Sequence, residues 1–122
     1  MAIKVIFKNI EFTNFDIKNF FKIIKKKGLF VFPAGPALSN INKDKIYLEA
    51  LKNSDYVFFD SGYFILLLRI LKNIKLKKFS GYLFLKLLFK QLKNNKYVKI
   101  LSIDPDSIVS KNNKNFFLSL GI

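Results

Sequence analysis

Neither cysteine nor histidine occurs anywhere in the 122 residues. Without thiols there is no disulfide framework and no thiolate nucleophile. Without imidazole the chain lacks the usual general base and the commonest metal ligand. Ser-His and Cys-His nucleophile pairs are excluded, and so are His-based zinc sites. Acid–base work falls to Asp, Glu, Lys or Tyr, and only eight carboxylates are present. Arginine is represented by Arg69 alone. Paired guanidinium readers of base edges are therefore missing, as are zinc-finger and RNA-recognition motifs, so nucleic acid is not the expected partner. A long hydrophobic run is missing too. The most apolar stretch, Tyr56 to Leu71, is interrupted by Asp60 and Arg69 and is short for a membrane span. Met1-Ala2-Ile3-Lys4 leads into alternation rather than an apolar leader core, which predicts a cytoplasmic protein.

What is there is a chain 51% hydrophobic, long enough for one domain with one core over residues 1–122. Its net charge is +14. Such a balance attracts anionic surfaces: phospholipid, nucleic acid or phosphorylated substrates. A second source gives the same charge. Lys, Asn, Ile and Phe share AT-rich codons, and base composition alone would enrich them without selecting a partner.

Taken in order, Ile3-Lys4-Val5-Ile6-Phe7 alternates as a strand, and Lys8-Asn9 can turn it into a hairpin partner, Ile10-Glu11-Phe12. Asp16 can cap a helix through about Lys26, with Ile17, Phe20, Phe21 and Ile24 on one face and Gly28 as its stop. Leu29 to Phe32 reads as a short buried strand, and Pro33-Ala34-Gly35-Pro36 breaks the chain. A helix runs from roughly Ala37 or Asn42 to Leu51, a strand from Tyr56 to Phe59, and a helix from Ser61 to Lys72. Ile74 to Lys78 is a basic connection, and Ser80 caps a helix to about Leu92. On that helix Lys86, Lys90 and Lys93 form one stripe and Leu85, Leu88, Phe89 and Leu92 another. Tyr97 to Ile103 reads as a third buried strand, and Asn115 to Gly121 as a helix. Strands alternating with helices predict an α/β fold: a mainly parallel, Rossmann-like sheet with helices on both faces and an N-terminal hairpin. A complete fold of this kind would lead from Gly121-Ile122 into another strand, so the chain reads as a fragment or a shortened version of a longer protein.

Asp60 is the foremost candidate for chemistry, because α/β folds work at the carboxyl ends of their strands. It can act as a general base toward a hydroxyl. It can equally cap the helix that begins at Ser61-Gly62. The loop from Phe32 to Ser39 can receive a phosphate or be an ordinary turn; it carries no Walker pattern and no GxGxxG spacing. The lysines from Lys72 to Lys78, with Lys86, Lys90 and Lys93, can face a diphosphate or an anionic membrane, or simply water. Tyr63, Tyr82 and Phe84 read as core.

From Val31 to about Leu85 the chain resembles the N-terminal half of the WecG/TagA/CpsF glycosyltransferases. The residues that carry the resemblance are Pro33, Glu49-Ala50-Leu51, Ser54-Asp55, Asp60, Gly62 and Gly81, in ordered spacing without a gap. The resemblance implies a cell-envelope polysaccharide enzyme. It would transfer an N-acetylhexosamine-type sugar from a UDP-sugar to a polyprenyl-diphosphate-linked sugar acceptor. It would invert the anomeric centre, need no metal and no cofactor, and act peripherally at the inner membrane face. The catalytic base falls on Asp60, and the arginine near the diphosphate falls on Lys78. Pro33, Gly35, Ser39, Ser61, Gly62 and Gly81 fall around the substrates. Where the family has Thr and Asn beside the proline this chain has Phe32 and Ala34, and Leu83 stands where an Asp follows the glycine. Without the family's C-terminal part, a truncated, non-catalytic α/β module held to anionic membrane or nucleic acid by its basic surface is the competing reading. Exposed apolar surface would also favour a homo-oligomer.

Overall fold

The computed structural model describes residues 3–93 and 98–122. The chain gathers into two compact units, Met1–Leu83 and Phe84–Ile122.

The first unit is α/β. Its four-stranded open sheet has the order β1-β2-β4-β3, from β1 (Ile3–Phe7), β2 (Ile10–Asn14), β3 (Phe30–Val31) and β4 (Tyr56–Phe58). β1 and β2 pair antiparallel with Phe7 opposite Ile10, so Lys8 and Asn9 alone make the turn. Both have positive φ, 50° and 61°, the conformation that matches a two-residue turn to the twist of its strands. β2, β4 and β3 run parallel. The helices are α1 (Phe20–Ile24), α2 (Gly35–Ser39), α3 (Lys45–Lys52) and α4 (Gly62–Lys72), with a 3₁₀ turn at Ile17–Asn19. Asp16 starts that turn by accepting from the Lys18 N–H, and Asp44 starts α3 by accepting from the Tyr47 N–H. The helix expected as one element before Leu51 is thus two, because Asp44 offers a second cap.

Both faces of the sheet are packed. On one face Ile10, Phe12, Val57 and Phe59 meet Leu38 and Leu51 from α2 and α3, Ile41 between them, and Leu68 from α4. Phe12 and Phe59 stack there with ring centres 4.2 Å apart. On the other face Phe58 lies among Phe15, Phe30, Phe32 and Phe79, while Phe20 of α1 closes on Phe15 and Phe79. Residues that alternate along β4 therefore feed two different ring clusters. β3 is shorter than expected and half-buried. At the amino edge the Asp55 carboxylate accepts from the Leu29 N–H at 2.8 Å. A Cβ on Gly28 would lie 3.0 Å from that side chain, so Gly28 is needed for this approach rather than as the stop of α1, which ends at Ile24.

α5 (Gly81–Leu92) begins in the first unit, with Ser80 accepting from the Leu83 N–H, and continues into the second. In the second unit Phe89 packs edge-on against Phe116 and Phe117 of α6 (Ser107–Ser119). Asp106 caps α6. Gly121, at φ 71°, ends it: its N–H donates to the Leu118 carbonyl and the Ile122 N–H to that of Phe117. Of the strand expected over Tyr97–Ile103, the described part, Val98–Ile103, is not a strand. Tyr97 lies outside the described residues, and 98–104 have no regular structure. Leu101 and Ile103 are 87% and 92% exposed. No strand exists among the described residues of this unit to pair with, and a strand without a partner leaves its backbone unsatisfied.

Candidate functional site

The carboxyl edge of the parallel strands is where most of the singled-out residues meet. β4 delivers buried Phe59, whose carbonyl accepts from the Phe79 N–H at 2.9 Å. The sheet's hydrogen bonding is thereby extended past β4 by the connection after α4. That connection crosses the edge and is tied at its middle by Asn14, the last residue of β2. Asn14 Oδ1 accepts from the Lys77 N–H at 3.0 Å, and its amide approaches the Lys75 carbonyl at 3.4 Å. The Lys77 ammonium reaches Asp16 at 3.3 Å. Together with the Lys18 N–H, which is the larger influence, it holds the Asp16 carboxyl below its usual range.

Asp60 follows Phe59 and is half-buried. It does not cap α4. Ser61 does, its Oγ accepting from the Phe64 N–H at 3.3 Å. Accounting for every carboxylate isolates Asp60. Glu11 pairs with Lys4, Glu49 with Lys52 and Asp16 with Lys77. Asp44, Asp55 and Asp106 accept backbone N–H groups. Asp104 accepts from Ser102 and Asn113. Asp60 has no hydrogen bond or ion pair among the described residues.

Three of the other singled-out positions touch across this edge. A Cβ on Gly35 would lie 2.8 Å from Ser61 Oγ, one on Gly62 3.8 Å from Lys78 Cδ, and one on Gly81 3.4 Å from Phe32. Glycine at Gly35 and Gly81 lets the turn after β3 lie against the starts of α4 and α5. Lys78 itself is exposed. Pro33 is buried and lines a mostly apolar cavity of about 160 Å³ with Phe32, Tyr47 and Leu51. Burial there, with Asp44 nearby, pushes the Tyr47 hydroxyl above its usual pKa. Ser39 is not part of the edge. It ends α2 and donates its hydroxyl to the Pro36 carbonyl at 2.7 Å. With five residues, one of them a proline without an N–H, α2 is too short to present an anion site at its start.

A cavity of about 390 Å³ lies beside α4, lined by Gly62, Ile65, Leu66, Arg69, Lys75 and Leu76. Another, of about 340 Å³, belongs to the second unit and includes Asp104, Lys114 and Phe117. Asp60 lines none of these three. Sequence reasoning missed Asn14 and Arg69 as edge and groove residues, whereas Lys75 lay within the lysine run it singled out. Asn14 carried the one available signal, a polar amide closing an alternating strand. Among the described residues no three potential metal ligands gather, and no helix is long and apolar enough to cross a membrane.

Compared with known proteins, the chain matches no family model, no curated protein and no solved structure.

Proposed function

We propose that the chain, on a Rossmann-like sheet, transfers an N-acetylhexosamine-type sugar from a UDP-sugar to a polyprenyl-diphosphate-linked acceptor at the cytoplasmic face of a membrane. One observation carries the reading. Of eight carboxylates, Asp60 alone is left without a partner among the described residues, and it stands at the carboxyl end of a parallel strand. A carboxylate with both oxygens uncommitted can take the proton of an acceptor hydroxyl. The freed oxygen then attacks the anomeric carbon from the face opposite UDP. The bond to the diphosphate breaks and the configuration inverts. UDP departs with the electron pair, and its charge meets the lysines of the connection, Lys78 first. Lysine supplies charge there without the bidentate grip of arginine. Lys78 passes Gly62, two residues from the base, which supports this assignment.

The test is transfer from a radiolabelled UDP-N-acetylhexosamine to a polyprenyl-diphosphate-linked sugar by the full chain. Asp60→Asn should lower the rate by about two to four orders of magnitude, while Lys78→Arg should keep it. Undiminished transfer by Asp60→Asn would remove Asp60 from the mechanism. A second reading has its own observation: Asp60 lines none of the three cavities, and Phe32 and Ala34 offer a ligand no polar side chain. On that reading the chain is a non-catalytic α/β module held to anionic membrane by its charge. It then shows no transfer, and its salt-sensitive vesicle binding is indifferent to Asp60→Asn.

A further inference from the structure

A helix packed on a sheet normally keeps an apolar stripe for the core and turns polar residues to water. α4, Gly-Tyr-Phe-Ile-Leu-Leu-Leu-Arg-Ile-Leu-Lys, does not. Its inward side is supplied by Phe64, Ile65 and Leu68, which join the core cluster. Its outward side is apolar as well. Tyr63, Leu66 and Ile70, at helical spacing, are 72%, 52% and 69% exposed, and Leu71 beside them is 75% exposed. Tyr63 was expected in the core; the inward stripe is already full, so it faces out.

Along the stretch of sequence that carries this face, the charge has one sign. α4 has no acidic residue, and from Ser61 to Ile103 the chain holds ten Lys and Arg and no Asp or Glu. Two of those cations, Arg69 and Lys75, line the groove of about 390 Å³ beside α4. Leu66 belongs to both the groove and the outward stripe, so apolar face and cations are continuous. Lys72 is turned elsewhere, its ammonium 5.6 Å from the centre of the Phe7 ring. The nearest carboxylate in sequence is Asp60, before the first turn.

We propose that α4 seats the protein on an anionic phospholipid bilayer, with Tyr63, Leu66 and Ile70 in the boundary between headgroups and acyl chains and Arg69 and Lys75 on lipid phosphates. Eleven residues make a helix of about 16 Å, half of a bilayer's hydrocarbon core of about 30 Å, so α4 lies in the plane of the surface. A second copy of the chain is a poor cover, because it brings the same +14 to the contact. The inference deepens the membrane half of the proposed function and does not depend on the transfer chemistry.

The experiment is co-sedimentation of the full chain with phosphatidylcholine vesicles, with and without phosphatidylglycerol. Wild-type protein should bind the phosphatidylglycerol vesicles, and salt should weaken the binding. The double variant Leu66→Glu/Ile70→Glu should lower the partition coefficient by at least about tenfold, and Arg69→Glu or Lys75→Glu by about fivefold each. Asp60→Asn should bind as wild type. Circular dichroism checks folding; if the double variant is unfolded, Tyr63→Ser and Leu66→Ser, read the same way, take its place. Binding unchanged in the folded stripe variants, or no binding by wild type, overturns the proposal. So does lipid-free self-association that the stripe variants abolish while their vesicle binding persists, since a second copy then covers the face. Transfer to a short-chain, water-soluble acceptor separates the two failures: the stripe variants should keep it, and Asp60→Asn should lose it.

Discussion

Gly35→Ala probes how the turn after β3 holds the start of α4, one residue from Asp60. The new Cβ would lie 2.8 Å from Ser61 Oγ, closer than a methyl group tolerates, and 3.4 Å from Ser61 Cβ, an ordinary contact. The hydroxyl must turn away, and it is the acceptor for the Phe64 N–H. Losing an N-cap costs about 1 kcal/mol. The gain of about 0.4–1 kcal/mol that comes from replacing glycine is offset here, because the ring of Pro36 crowds a Cβ on the helical residue before it. Gly35→Ala alone should therefore destabilise by about 1 kcal/mol, the value of the cap. Ser61→Ala removes the cap and the obstacle together and should cost about 1 kcal/mol. In that background Gly35→Ala meets no oxygen and has no cap left to displace, so adding it should cost about 1 kcal/mol less than it does in the wild type. Urea unfolding followed by far-ultraviolet circular dichroism gives the cycle. Effects that add within about 0.3 kcal/mol would refute the contact.

Phe58 is fully buried and has ring neighbours in Phe15, Phe30, Phe32, Tyr56 and Phe79. Phe58→Ala should cost about 3–5 kcal/mol and Phe58→Leu under half of that, by urea unfolding; equal costs would mean the rings are not packed as described. The folded pKa of Asp16 is depressed, so its contribution is present above its ordinary value of 3.8 and is lost as pH falls through the folded value. Asn caps as well as Asp but cannot pair with Lys77, so Asp16→Asn should flatten the loss of stability on acidification through that range; an unchanged acid limb counts against it. Gly121→Ala meets nothing within 4 Å, so its cost, about 1 kcal/mol, is that of the positive φ alone. It should appear as faster hydrogen exchange in the last turn of α6, and unchanged exchange would refute it.

What could be read in the sequence was local chemistry. Lys8-Asn9 between alternating runs gave the hairpin, Asp16 and Ser80 the helix starts, and Gly121 the helix stop. Each is decided by residues within a few positions of one another. Val98–Ile103, the described part of the third expected strand, failed because a strand is decided by its partner, and periodicity in a short apolar run says nothing of whether one exists. Tyr63 and Tyr82 failed for a related reason. Both are aromatic, and both are more than 70% exposed, because which side of a helix faces the core depends on what the sheet already presents. At the candidate site, the meetings of Gly35 with Ser61 and of Gly62 with Lys78 span 26 and 16 positions, and no local rule joins them. Asp55, which matched the resembled pattern as well as Asp60 did, sits at the opposite edge and is consumed by the Leu29 N–H. Spacing identified both residues and could not tell the clamp from the free group.

That difference bears on the charge itself. With 22 cations against eight carboxylates, attraction alone would pair every acid many times over. Seven of the eight do have partners, and four of these, Asp16, Asp44, Asp55 and Asp106, hold backbone N–H groups. Asp60 does not cap α4, because Ser61 fills that place. Asparagine or serine at position 60 would end the strand at no greater desolvation cost than a half-buried carboxylate. If lysine abundance were only codon bias, the same bias would favour Asn there too. On the reading proposed above, an acid that the fold does not use, on the edge crossed by Lys75, Lys77 and Lys78, is there to take a proton. The consequence is opposite in sign to that of a structural acid: Asp60→Asn should leave stability unchanged or raised while removing transfer, whereas Asp55→Asn should lower stability.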